Sequence, residues 1–211
     1  MKLKWLVGFG AAGGLAVLVV CLVPAPGSHA VAATPFLALS RVPVPEMPAK
    51  AADLVQAAPV LERETTAATV LRAVTTMARP GVMPYVVSAI CRRNPEVAGA
   101  VVATAIQLQP DDELAFCRAA VCAAPDRVEP VVASACQAAP ASFANVAMVA
   151  FGCRPGADHL ILGGLTNALP GLKPYLDEAA REGGTNDFAT LINRTVQLIT
   201  DASKAESKKR K

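Results

Sequence analysis

Thiols are the residues with the most chemistry to offer in this chain: Cys21 lies in an apolar N-terminal run, and Cys91, Cys117, Cys122, Cys136 and Cys153 lie beyond it. A thiol can join a disulfide, ligate a metal or act as a nucleophile, and spacing separates the three. No CxxC or CxxH pair occurs, and Cys117 and Cys122, five residues apart, point to different sides of a helix. A zinc site needs several ligands converging from short spacings, so none is expected, nor is any other metal or cofactor. His159 is the one histidine outside the N-terminal segment, so a Ser/His or Cys/His nucleophile would have to use it. It follows Asp158 just after Pro155, and the pair reads as an exposed helix start, not as a catalytic dyad. Gly152, Gly156, Gly163 and Gly164 form no phosphate-binding fingerprint, because no strand precedes them. Asn193-Arg194-Thr195 matches a glycosylation triplet but falls inside a predicted helix. No catalytic residue is assigned.

The elements that position these thiols follow from proline. Pro80, Pro95, Pro110, Pro125, Pro140, Pro155 and Pro170 recur every fifteen residues, which marks an internal repeat. Counting each proline as zero, offset six holds Val86, Val101, Phe116, Val131, Val146 and Ile161. Offset ten holds Ile90, Ala105, Ala120, Ala135, Ala150 and Leu165. Offsets seven and eleven are also mostly apolar, so each unit carries one stripe at three-and-four spacing, the periodicity of a helix. Proline fits the start of a helix and breaks its interior, so each one ends a helix and begins the next. Asn94 is expected to cap the helix after it, and Glu96, Asp111, Asp112, Glu113 and Asp126 suit the positive helix ends.

A helix of about twelve residues cannot bury its own stripe and must lean on neighbours. The expected fold is all-α: a short α-solenoid of two-helix units of thirty residues, with a closed helical bundle as the alternative. In a stack, alternate helices run parallel and share a rim. Cys91, Cys117 and Cys136 occupy the apolar stripe and read as small buried side chains. Cys122 and Cys153 stand near the C-terminal ends of alternate helices, thirty-one residues apart, and are the preferred disulfide. Successive offsets point about 100° apart around a helix, which weighs against the pairing.

Outside the repeat, residues 1–32 read as an export signal. Lys2 and Lys4 precede an apolar run from Trp5 to Val23, followed by Pro24, Pro26 and two small-x-small cleavage sites ending at Ala30 and Ala32. The run is about nineteen residues, so an uncleaved membrane anchor is the alternative; in both readings the body lies outside the cytoplasm, periplasmic or in the cell envelope. Residues 33–48, with Pro35, Pro43, Pro45 and Pro48, read as an extended linker unable to contribute to a core. Residues 49–79 read as N-terminal capping helices, 80–184 as the repeat domain and 185–201 as an amphipathic helix carrying Phe188, Leu191, Ile192, Thr195, Val196 and Ile199. Residues 202–211 read as a disordered basic tail.

Composition narrows the function. From position 31 onward 18 basic residues face 17 acidic ones, which provides no field for nucleic acid. The excess of positive charge sits at Lys204, Lys208, Lys209, Arg210 and Lys211. Membrane contact is therefore limited to this tail or the N-terminal segment.

Units such as EPVVASACQAAP and PEVAGAVVATAIQLQP resemble the alanine-rich, proline-punctuated helical repeats of uncharacterised exported bacterial proteins. The thirty-residue pair also resembles the shortest HEAT-like repeats, but without their Asp and Arg signatures. The likeness covers about Arg79 to Leu172 and implies a fold only. The leading expectation is an exported, non-catalytic scaffold or protein-binding module whose protein partner and oligomeric state the residues do not specify. A membrane-anchored structural protein and an enzyme using a thiol such as Cys122 are the competing readings.

Overall fold

The computed structural model describes residues 35–77, 79, 81–183 and 187–209. The export segment expected at 1–32, Pro80, the junction at 184–186 and the final Arg210 and Lys211 lie outside the described residues. Those that are described form eleven α-helices and no strand. They are α1 (Pro35–Ser40), α2 (Met47–Ala57), α3 (Arg63–Thr76), α4 (Met83–Arg93), α5 (Ala98–Leu108) and α6 (Glu113–Ala123), then α7 (Val128–Ala138), α8 (Phe143–Cys153), α9 (Asp158–Ala168), α10 (Lys173–Gly183) and α11 (Phe188–Lys209).

The fifteen-residue period has a backbone explanation. Pro95, Pro110, Pro125, Pro140 and Pro170 each open a three-residue 3-10 turn, as at Pro95–Val97, Pro110–Asp112 and Pro125–Arg127. An eleven-residue α-helix follows, and then a single extended residue. That last residue precedes the next proline, whose ring drives it out of the helical region. Its φ and ψ repeat closely: −133° and 69° at Asn94, −142° and 77° at Gln109, −130° and 69° at Ala124. Its amide donates to the carbonyl four residues back, at 2.8 Å from Asn94 to Ile90 and 2.9 Å from Gln109 to Ala105. Its own carbonyl accepts from the third residue ahead, Val97 at 3.2 Å and Arg127 at 2.9 Å. Main chain alone satisfies the junction, which is why alanine serves at 124 and 139 and no side-chain cap is formed.

Asn94 accordingly stands at the N-cap position, but its side chain makes no capping hydrogen bond. Its side chain is fully buried and donates inward to the carbonyls of Ile90, at 3.4 Å, and of Ala52 on α2, at 3.5 Å. After Arg154 the turn changes form, and Gly156 takes φ +86°, a left-handed conformation that glycine adopts without a Cβ penalty.

Packing follows the repeat. From α1 to α9 each helix meets the next in the chain and, more extensively, the one two places on, whereas α10 packs chiefly on α11. The result is two rows, α1–α3–α5–α7–α9 and α2–α4–α6–α8, an all-α helical-repeat array. Offsets six, seven, ten and eleven are buried without exception in α4 to α7, including Val86, Val102, Phe116, Ala135 and Cys136. Toward the end of the array the stripe opens, and Phe151, Leu162 and Thr166 are only half-buried. Phe151 is covered from outside the repeat: Phe188 of α11 stacks on it with ring centroids 4.9 Å apart and planes 17° from parallel. Ile192 and Thr195 of α11 are fully buried as well, Thr195 with its hydroxyl donating to the Leu191 carbonyl.

Two segments differ from expectation. Residues 33–48 are not a solvated tether in their described part: Pro35–Ser40 is helical, packs on α3, and buries Leu39 completely, while Met47 is fully buried at the start of α2. Pro35 sits at a helix start, where its missing amide hydrogen costs nothing, and Pro43 stands just before a 3-10 turn, one place earlier than the repeat prolines that open theirs. Thus α1 and α2 extend the two rows, with proline-rich local sequence doing the same work as in the repeat. Leu39→Ala should lower stability by about 2 kcal/mol in urea unfolding, near the low end for a buried leucine because α1 ends its row. A tether would give no change.

The second difference is at the C-terminus, where α11 continues to Lys209, so that 202–209 is helix and not disordered tail. Ala202, Lys204, Ala205, Glu206 and Lys208 are all good helix formers, and Asp201 pairs with Lys204 at 3.9 Å one turn on.

Candidate functional site

The sequence sorted the cysteines by their place in the repeat, and the structure separates them the same way. Cys91, Cys117 and Cys136 are completely buried, and desolvation pushes each thiol up to about 12. They are protonated, inaccessible packing groups. Cys122 is exposed and Cys153 half-buried, near the ends of α6 and α8, with their sulfurs 2.6 Å apart as thiols.

The one-residue difference in offset is what brings them together. Cys122 stands twelve residues after its proline and Cys153 thirteen after its own. Parallel helices carrying identical offsets would point their side chains the same way, whereas a step of about 100° turns Cys153 back toward the preceding helix of its row. The α2/α4 junction has the same logic. Arg93, also at offset thirteen, turns back from α4 and pairs with Asp53 of α2.

Around the two sulfurs is a shallow depression of about 570 Å³ lined by Arg118, Cys122, Met148, Val149, Gly152 and Cys153. The Cys153 thiol is pushed up to about 12, first by burial, then by its hydrogen bond to Cys122 and the proximity of that group; the Arg118 charge opposes the rise. His159 is exposed at the start of α9 and is not among the lining residues, so no base is brought to either thiol there. Asp158 is half-buried, with its Oδ1 lacking a hydrogen-bond partner. Among the described residues no group of three or more His, Cys, Asp or Glu side chains is arranged to hold a metal ion. No described helix is long and apolar enough to cross a membrane.

A second feature of the same row was not visible in the spacing of reactive residues. Between α2 and α4 lies a groove of about 980 Å³ with a predominantly apolar lining that includes Val44, Pro45, Pro48, Val82, Tyr85 and Ala89. Arg92 and Arg93 also line it, and Arg93 is held by Asp53. Tyr85 is 69% exposed at offset five, just outside the apolar stripe, where repeat counting singles out nothing. Its signal was its type: it is one of only two tyrosines in a chain that is 4% aromatic, placed where the fold has no packing use for it.

Two further ion pairs join separate elements of the array. Arg63 of α3 pairs with Glu96 in the 3-10 turn before α5, and Arg154 with Asp126 at 3.5 Å. Burial raises the Glu96 carboxyl, but its own backbone hydrogen bond and Arg63 outweigh that and hold it below the usual range.

Comparison of the chain with protein-family models, with curated proteins and with solved structures finds no match.

Proposed function

We propose that this chain is an exported, non-catalytic helical-repeat module that binds a protein partner in the cell envelope through the outer face of the α2–α4–α6–α8 row. The observation that carries the reading is the α2/α4 groove, where a large, largely exposed tyrosine stands over an apolar lining. Tyrosine in such a setting offers a rigid apolar ring and a polar tip, the combination that anchors protein interfaces. Arg92 complements a carboxylate on the incoming segment. Export rests on the charged and apolar pattern of residues 1–32 and on the resemblance to exported proline-punctuated repeats.

A photo-crosslinking residue at position 85 tests this against the same probe at Gln137, which is exposed on α7 in the other row. A discrete protein adduct from position 85 in envelope extract, absent from 137 and weakened at least about tenfold by Arg92→Glu, is expected, since one interfacial anchor is worth roughly 1.4 kcal/mol or more. Equal labelling from both positions would overturn it.

A further inference from the structure

We infer that Cys122 and Cys153 form an intramolecular disulfide that staples α6 to α8, and that Cys122 is the sulfur through which it forms. Their sulfurs stand 2.6 Å apart, roughly half an ångström beyond a disulfide bond length, so closure needs no rearrangement of the helices. Among the described residues the other three cysteines, Cys91, Cys117 and Cys136, are buried and cannot compete. The place in the fold supports the role. At α2/α4 the equivalent backward-facing position holds an ion pair between Arg93 and Asp53, and at α6/α8 it holds two thiols. An exposed ion pair holds helices weakly, whereas a covalent link does not dissociate.

The oxidant is a low-molecular-weight disulfide, of the glutathione type. The exposed Cys122 thiolate attacks one sulfur of that disulfide, forming a mixed disulfide and releasing one small thiol. Cys153 then loses its proton to solvent and attacks the Cys122 sulfur, forming the internal bond and expelling the second small thiol. The chain gives up two electrons and two protons, and the small disulfide is reduced to two thiols. Order follows from exposure: Cys153 is half-buried behind Cys122, and two of the causes that hold its proton are contacts with Cys122 itself. Converting Cys122 to a mixed disulfide removes those contacts, while Arg118 continues to favour ionisation of Cys153.

The test is equilibration of the reduced full chain with oxidised glutathione, followed by alkylation, non-reducing digestion and mass spectrometry. A linked peptide pair containing Cys122 and Cys153, with Cys91, Cys117 and Cys136 unmodified until denaturant is added, is expected. Closing a loop of this length should raise Tm by about 5–10 °C relative to the reduced chain. Cys153→Ser should accumulate one glutathione adduct on Cys122, and Cys122→Ser should take up glutathione at Cys153 at least about tenfold more slowly, in proportion to access. Cys122 is exposed and Cys153 only half-buried, and serine is close to cysteine in size, so folding is retained and can be checked by circular dichroism. Separate alkylation of Cys122 and Cys153 after equilibration, a linkage to any other cysteine, or faster adduct formation at Cys153 than at Cys122 would overturn the inference.

Discussion

Phe116→Ala is expected to remove about 3–5 kcal/mol of stability, the largest loss from any single core truncation in the array. Phe116 is fully buried in α6, and the side chains sharing its stripe are small: Cys117, Ala120 and Val121 on its own helix, and valine or alanine at most equivalent positions of α5 and α7. An interior of valine and alanine has short side chains that cannot swing into a void, so a cavity left by a phenyl ring stays open. The spacing of the rows cannot relax either, since α6 is held by α4 and α8 on either side and by α5 and α7 across the layers. In urea the midpoint should fall while the slope is unchanged, as expected when stability and not exposed area has altered. Leu61→Ala provides the contrast: that side chain is 97% exposed, and its loss should move the midpoint by less than about 0.5 kcal/mol equivalent. A shift at Phe116 below about 1 kcal/mol would mean that the two rows do not enclose it.

That core was readable because burial in a two-row array is set by one number, the period. Once the prolines gave the register, Val86, Val87, Ile90 and Cys91 and their counterparts through α7 fell on the inner faces by arithmetic, and all are buried. The register stops informing where neighbours run out. Phe151 and Thr166 hold stripe positions but lie near the end of the array, and Phe151 depends on Phe188 from a helix outside the repeat. Leu39 shows the opposite failure. Its segment is proline-rich and reads as extended, yet proline at a helix start is neutral, and tertiary contact with α3 decides the conformation. Asn94 holds the N-cap position its type favours, but main chain satisfies that position and the side chain faces inward instead of capping. The thiols were placed on a common rim by counting, but the 100° step between their offsets counted against them until the direction of each helix face was known. Tyr85 lay outside the stripe, and its groove depends on the separation of α2 and α4, a distance no single-sequence pattern encodes.

Gly164→Leu should destabilise the chain by about 3 kcal/mol, although leucine is the better helix former by nearly 1 kcal/mol. The reason lies in α7, the helix that receives a glycine from both sides of its row. A Cβ on Gly99 of α5 would stand 2.8 Å from the Ser134 hydroxyl and 3.1 Å from the Pro130 carbonyl oxygen. A Cβ on Gly164 of α9 would stand 2.7 Å from the carbonyl oxygen of Glu129 and 3.0 Å from the Cβ of Val132. Main chain cannot rotate away as a side-chain tip can, so relief requires α9 to slide along or away from α7. That displacement would also part Asn167 from Glu129, whose amide and carboxylate meet at 2.9 Å. Gly152 of α8 isolates the steric contribution, because a Cβ there meets nothing within 4 Å. Gly152→Ala should therefore stabilise the protein by about 0.5 kcal/mol through reduced freedom of the unfolded chain. Opposite signs for these two glycines, read from urea midpoints of otherwise identical chains, are the expected result. If Gly164→Leu were neutral or stabilising, α7 and α9 could not be in backbone contact, and the tight packing of this row would have to be abandoned.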